Sequence, residues 1–258
     1  MKKFINEYIN EISVFDIRAP KNKKCIEVKT VTKILTKVLN YDAFNQGTPW
    51  SRHIFICSLG VQVCPYCNRN YITSYEESKN DYKTTADGDH YYLKSLYPIL
   101  QLNVYNIIPS CSVCNSKMKN SNDKRHLYPY EDTNDSLSFS VTFDKLEELY
   151  NYTKDDIEID VTPKSGNKKA LNSIQVFKLR KLYKTHNDIV FALKNKIKDS
   201  MAFKNEAEYC KKLLGFDFLQ KQDQTKYWFD FLEKEPLDEP LVKLKQDIYN
   251  QIINSTNI

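Results

Sequence analysis

The sequence predicts an α+β protein whose central, cysteine- and histidine-bearing segment lies between helical N- and C-terminal segments. Apolar residues recur at helical spacing near both ends, and this period disappears from residue 51 to about residue 130. After the centre, two short runs alternate apolar and polar residues, as half-buried strands do. The expected divisions are a helical segment over 1–55, a central module over 56–130, and a small β segment with a helical region over 131–258.

Phe4, Ile5, Tyr8, Ile9 and Ile12 place a helix over 4–15, which Ala19-Pro20 and the following lysines interrupt. Val31, Ile34, Leu35 and Val38 share one face of a second helix over 30–39, closed by Asn45-Gln-Gly-Thr-Pro49. Phe139, Val141 and Phe143 alternate in one predicted strand, and Ile157, Ile159 and Val161 in another, with a helical turn between them. From Leu179 to Ile197 a helical face returns through Leu182, Tyr183, Ile189, Val190 and Leu193. Two further helices fit 224–232 and 241–253, separated by Pro236 and Pro240.

Composition narrows the function classes. With 258 residues, 41% hydrophobic and 28% charged, the chain can bury a sizeable core. Five glycines exclude collagen-like chains and most glycine-looped nucleotide folds, and no Gly-x-x-x-x-Gly-Lys-[Ser/Thr] loop is present. No apolar run approaches the roughly 20 residues that cross a bilayer, and the opening residues form no signal-like apolar stretch. A cytoplasmic protein without membrane contact is the expectation. A net charge of +5 is mild, so affinity for nucleic acid must come from a local basic patch.

Seven cysteines in a reducing compartment point to metal rather than disulfides. Cys64-Pro-Tyr-Cys67 and Cys111-Ser-Val-Cys114 are two knuckles, each offering two thiolates to a tetrahedral Zn²⁺. Their 43-residue separation exceeds that of a simple zinc ribbon, so folded structure must lie between them. Cys25, Cys57 and Cys210 lack such partners and read as buried apolar residues.

Around the second knuckle stand Asp89-His90, Asn106 and Asn115, the last directly after Cys114. This order resembles the HNH endonucleases, the ββα-metal nuclease family, in zinc-stapled form. The resemblance covers residues 64 to about 119 and implies a central ββα-metal module. It further implies that His90 is the general base, that Asp89 and Asn115 hold a catalytic Mg²⁺ or Mn²⁺, and that Asn106 orients His90 or its loop. A neutral imidazole can take a proton from water, and hard oxygens suit a weakly held divalent ion. The expected reaction is phosphodiester hydrolysis of nucleic acid, DNA or RNA. Asn115 stands where the family often has His.

The phrases Cys64-Pro-Tyr-Cys-Asn-Arg-Asn-Tyr71 and Asp89-His-Tyr-Tyr-Leu-Lys-Ser-Leu-Tyr-Pro98 are also similar to HNH subunits of Septu-type antiphage defence pairs (PtuB-like). That likeness implies a separate, PtuA-like ATPase as partner, contacting the helical regions; the cluster at Tyr227–Leu232 is the place to seek it. Lys94, Lys117, Lys119, Lys124 and Arg125, with Tyr91, Tyr92, Tyr97 and Tyr105 among them, offer phosphate-neutralising charge and stacking faces. The same residues read equally as a solvated face and core aromatics. Two competing functions remain: a zinc-stabilised nucleic-acid-binding or assembly module without catalysis, and a stand-alone restriction or homing nuclease. The glycine-poor flanks show no helix-turn-helix for the latter.

Overall fold

The computed structural model describes residues 33–46, 51–132, 134–143, 146–204, 225–226 and 228–255. The helix expected over 4–15, its break, Cys25, Cys210 and Tyr227 lie outside these residues. Among the described residues the fold mixes α and β, with three antiparallel strand pairs and several helices. Two compact units are distinguished: described residues to 61 with 72–123 and 128–130, and 62–71 with 124–127 and the described residues from 131. Among the described residues no helix is long and apolar enough to cross a membrane.

In the first unit a helical stretch over 33–39 precedes α1 (Tyr41–Gln46) and α2 (Arg52–Leu59). Ser51 caps α2 by accepting from the Ile54 amide, and Gly60 ends it at φ 64°, where an added Cβ would be strained. Strands β1 (Ser74–Ser78) and β2 (Asp81–Thr84) form a hairpin turned by Asn80 at φ 65°. Strands β3 (Asp87–His90) and β4 (Ile107–Ser110) pair with Asp87 opposite Ser110, Gly88 opposite Pro109, Asp89 opposite Ile108 and His90 opposite Ile107. Every β4 residue is buried, so this pair is the unit's spine. Helix α3 (Val113–Lys119) follows at once; its wide winding shows in the Asn120 amide donating to the Asn115 carbonyl at 2.8 Å.

The second unit is built on β5 (Leu137–Val141) and β6 (Ile159–Pro163), which pair antiparallel across α4 (Leu146–Asn151). Phe139, Val141, Ile159 and Val161 are buried, as their alternation predicts, and Leu137 joins them; Phe143 and Ile157 fall outside the strands, Phe143 half-buried and Ile157 buried. The helical face read over 179–197 divides. After α5 (Lys168–Val176), α6 (Leu179–Tyr183) ends in a tight turn at Lys184–His186 before α7 (Asn187–Lys204). Helix α8 (Val242–Ser255) covers the edge of β5. Its Asp247 accepts from the Phe139 amide, and Gln251 both accepts from the Val141 amide and donates to the Val141 carbonyl. An exposed strand edge is thereby satisfied by side chains. Phe229 and Phe231 are buried against Tyr249, which places these two residues of the 227–232 cluster in the core, while Asp230 is exposed and Trp228 and Leu232 are half-buried.

Candidate functional site

Backbone geometry shapes each knuckle. Around Cys64–Cys67, Val63 bridges Tyr71, the Cys64 amide donates to the Asn70 carbonyl, and Asn68 at φ 48° donates its amide back to Cys64. Asn tolerates this left-handed conformation better than other side chains. Tyr183 donates its hydroxyl to the Cys67 carbonyl at 2.7 Å, fixing the knuckle's second residue. The second knuckle spans the end of β4 and the first turn of α3, where the Asn115 amide donates to the Cys111 carbonyl at 3.0 Å.

Cys64, Cys67, Cys111 and Cys114 are buried and none is in a disulfide. Their four Sγ atoms all lie within 4.8 Å of one another. Four thiolates about 2.3 Å from a tetrahedral Zn²⁺ stand about 3.8 Å apart, so the cluster needs only small closure to hold the ion. The donor set fits zinc: soft ligands, fourfold, enclosed. With all four positions filled by protein, such a centre is structural rather than catalytic.

The remaining polar residues sort by the pleat of β3, whose successive side chains point to opposite faces. Asp87 and Asp89 share the face toward α3. There the Asn115 Nδ2 donates to Asp87 Oδ2 at 3.0 Å, and Lys119 Nζ donates to Asp89 Oδ1 at 2.7 Å and to the His90 carbonyl at 2.6 Å. Lys119 is 1% exposed and Asp89 3%, making a desolvated ion pair rather than a phosphate-seeking lysine. Gly88 and His90 take the other face. The Tyr41 ring meets the His90 ring edge-on at 4.6 Å, and Tyr41 donates its hydroxyl to the Gly88 carbonyl at 3.4 Å. Lys94 Nζ lies 4.8 Å above the Tyr41 ring.

His90 is 8% exposed, and its Nε2 lies 2.9 Å from the Gln101 carbonyl. A carbonyl only accepts, so Nε2 carries the proton and Nδ1 is the basic nitrogen of the neutral ring. Burial pushes the His90 pKa below its usual value, against the pull of the Gln101 carbonyl, and the Lys94 charge pushes it the same way as burial. Asn106 braces the loop over 91–106: its Oδ1 accepts from the Tyr92 amide, and its Nδ2 donates to the Tyr92 and Leu100 carbonyls.

The structure thus brings the four cysteines together and sets Asp89 beside His90 in sequence but across the sheet from it in orientation. Asn115 meets Asp87, not Asp89. A divalent ion shared by Asp89 and Asn115 does not fit this arrangement, because Lys119 already neutralises Asp89 and the Asn115 amide is engaged elsewhere. Asp87, Gln101 and Tyr41 were not read as site residues from the sequence, and Lys119 was read only as a phosphate-facing or solvated lysine. Asp87 carries a usable signal, since it lies two positions from Asp89 and so on the same strand face. Two further histidines are structural in setting. His126 is buried against Tyr66 and Phe177 with Nδ1 donating to the Lys124 carbonyl, and His186 accepts from Arg69 Nε at 2.7 Å. Tyr91 and Tyr97 are core, while Tyr105 stays 46% exposed.

Compared with known proteins, the chain matches no family model, and no curated protein or solved structure matches it.

Proposed function

We propose that the chain is a zinc-stapled HNH-type endonuclease that hydrolyses phosphodiester bonds of nucleic acid, acting as the nuclease subunit of a prokaryotic antiphage pair beside a separate ATPase. The observation that carries the reading is His90. It is neutral near pH 7, held in one tautomer by the Gln101 carbonyl, and placed at the end of β3 beside a loop braced by Asn106. Such an imidazole can take the proton of an attacking water at Nδ1. The order β3, loop, β4, α3, with the second knuckle at the β4–α3 junction, supports a ββα-metal module. A divalent ion would supply polarisation of the phosphate and stabilisation of the leaving oxygen. The ATPase rests on the Septu-type likeness alone.

Two observations favour a second reading, a zinc-stabilised nucleic-acid-binding or assembly module without catalysis. Asp89 is neutralised by Lys119 and His90 lies beneath Tyr41. The two readings separate in one assay: incubation of plasmid DNA and a small RNA panel with the chain and Mg²⁺ or Mn²⁺, comparing wild type with His90→Ala. Cutting that disappears with His90→Ala supports the nuclease. Retained nucleic-acid binding with no cutting, alone or with a neighbouring ATPase, supports the second.

A further inference from the structure

His90 lies under a segment from the N-terminal side of the chain. The helical stretch over 33–39 ends at Asn40, which has φ 36° and starts α1 afresh by accepting from the Ala43 amide at its side-chain Oδ1, 3.1 Å away. Helix α1 opens with Tyr41, whose ring meets the imidazole edge-on at 4.6 Å and whose hydroxyl donates to the Gly88 carbonyl. A Cβ at Gly88 would lie 2.9 Å from that hydroxyl oxygen, so the glycine is what lets Tyr41 settle this deep. A second contact comes from Gln101. Its carbonyl accepts the His90 Nε2 proton, and its side-chain Nε2 donates to the Leu35 carbonyl at 3.2 Å. The segment over 35–41 therefore touches both the imidazole and the residue that fixes its tautomer, and His90 is left 8% exposed. A base that takes a proton from water must come within hydrogen-bond reach of that water.

We propose that Tyr41, carried on α1, is an autoinhibitory lid over His90, which must swing away before the imidazole can act. What the uncovered base then does rests on the nuclease reading; the cover itself does not. The contacts that close the lid are individually weak: an edge-on ring pair, the Lys94 ammonium 4.8 Å above the Tyr41 ring, and one long hydrogen bond of 3.4 Å. Asp42 and Ala43, next in α1, are exposed, so the turn that carries Tyr41 is lightly buried and belongs to the part of a fold that opens locally. The other side of His90 is firm. Its register partner Ile107 and the bracing Asn106 are both buried, and Asn106 ties down the loop through three hydrogen bonds. The lid, rather than the base, is the element that moves. Lys94 is exposed and serves as its latch, since the ammonium holds the ring from the solvent side. A movable cover reconciles a buried, neutral imidazole with a base that must meet water.

Carbethoxylation by diethyl pyrocarbonate, followed at each histidine of the zinc-loaded full chain by peptide mass spectrometry, reads the cover without any cleavage. Above the histidine pKa range the rings are neutral, so the rates report access. Tyr41→Ala should raise the rate at His90 by about fivefold or more, the factor lost with a ring pair and a cation–π contact. His186, in the other unit, is the reference and should not change. Tyr41→Phe keeps the ring and should stay within about twofold of wild type. Lys94→Gln, at an exposed position, should raise the rate about two- to fivefold and decides the question if Tyr41→Ala does not fold. On plasmid DNA or RNA, Tyr41→Ala should cut faster than wild type. Labelling of His90 unchanged in folded Tyr41→Ala, or in Lys94→Gln where that variant does not fold, overturns the lid. Tyr41→Phe that labels as fast as Tyr41→Ala also overturns it, since the ring would then shield nothing. Faster labelling with slower cutting does the same, because Tyr41 would then position the base rather than block it. Faster labelling with no cutting by any variant would remove the nuclease reading and leave the cover over His90 standing.

Discussion

Replacing Lys119 by Met isolates the largest electrostatic commitment near the site. The Lys119 ammonium, 1% exposed, meets the Asp89 carboxylate at 2.7 Å and the His90 carbonyl at 2.6 Å. Methionine fills nearly the same volume, so the change chiefly strands a buried carboxylate and a buried carbonyl. Breaking one side of such a pair costs about 3–5 kcal/mol, whereas removing both charges is close to neutral. For a chain of this size each kcal/mol lowers the melting temperature by about 2–4 °C, so Lys119→Met should lose about 6–20 °C. Urea unfolding followed by circular dichroism, run on Lys119→Met, Asp89→Asn and the double variant, closes a double-mutant cycle. The double variant should recover most of the loss. As a control, exposed Lys117 changed to Met should stay within about 0.5 kcal/mol. A loss below about 1 kcal/mol for Lys119→Met would mean that the ammonium reaches water and that Lys119 and Asp89 are not a desolvated pair.

Cys64→Ser should remove the zinc bound per chain, seen by elemental analysis, and loosen the fold, seen as increased proteolysis. Gly88→Ala places a Cβ 2.9 Å from the Tyr41 hydroxyl oxygen and 3.1 Å from Arg52 Cδ, and should cost about 1–3 kcal/mol in denaturant unfolding. Burial, joined by the Arg69 charge, lowers the His186 pKa, so the unfolded chain binds that proton more readily than the folded one. The stability held above the unfolded value near 6.5 is therefore lost as pH falls toward the folded value. His186→Gln should flatten that decline in unfolding curves collected at successive pH values.

How legible this architecture was depends on the range over which each signal acts. The β5–β6 pair was readable because Phe139, Val141, Ile159 and Val161 bury one face locally. The β1–β2 hairpin was not, because Ser74-Tyr-Glu-Glu-Ser and Asp81-Tyr-Lys-Thr bury little and hold their register through backbone bonds and the Asn80 turn. Knuckle spacing made the Cys₄ cluster readable, since paired thiolates at Cys-x-x-Cys can serve one ion without knowledge of the rest. The pairing of Asn115 with Asp87 depends on the β3–β4 register and on how α3 docks, neither of which is local. Lys119 read as a surface lysine because lysine is rarely fully buried; only the Asp89 carboxylate beneath α3 explains the exception. The opposite orientation of Asp89 and His90 was available from strand periodicity alone once β3 was recognised.

On the proposed function, His90 is the catalytic base of a zinc-stapled nuclease. The most direct test is cleavage of plasmid DNA and RNA by wild type and His90→Ala in Mg²⁺ or Mn²⁺, with zinc content measured on the same samples. The expected result is cutting by the wild type, no cutting by His90→Ala, and equal zinc in both. Equal cutting by the two proteins, or zinc lost with His90, would contradict it.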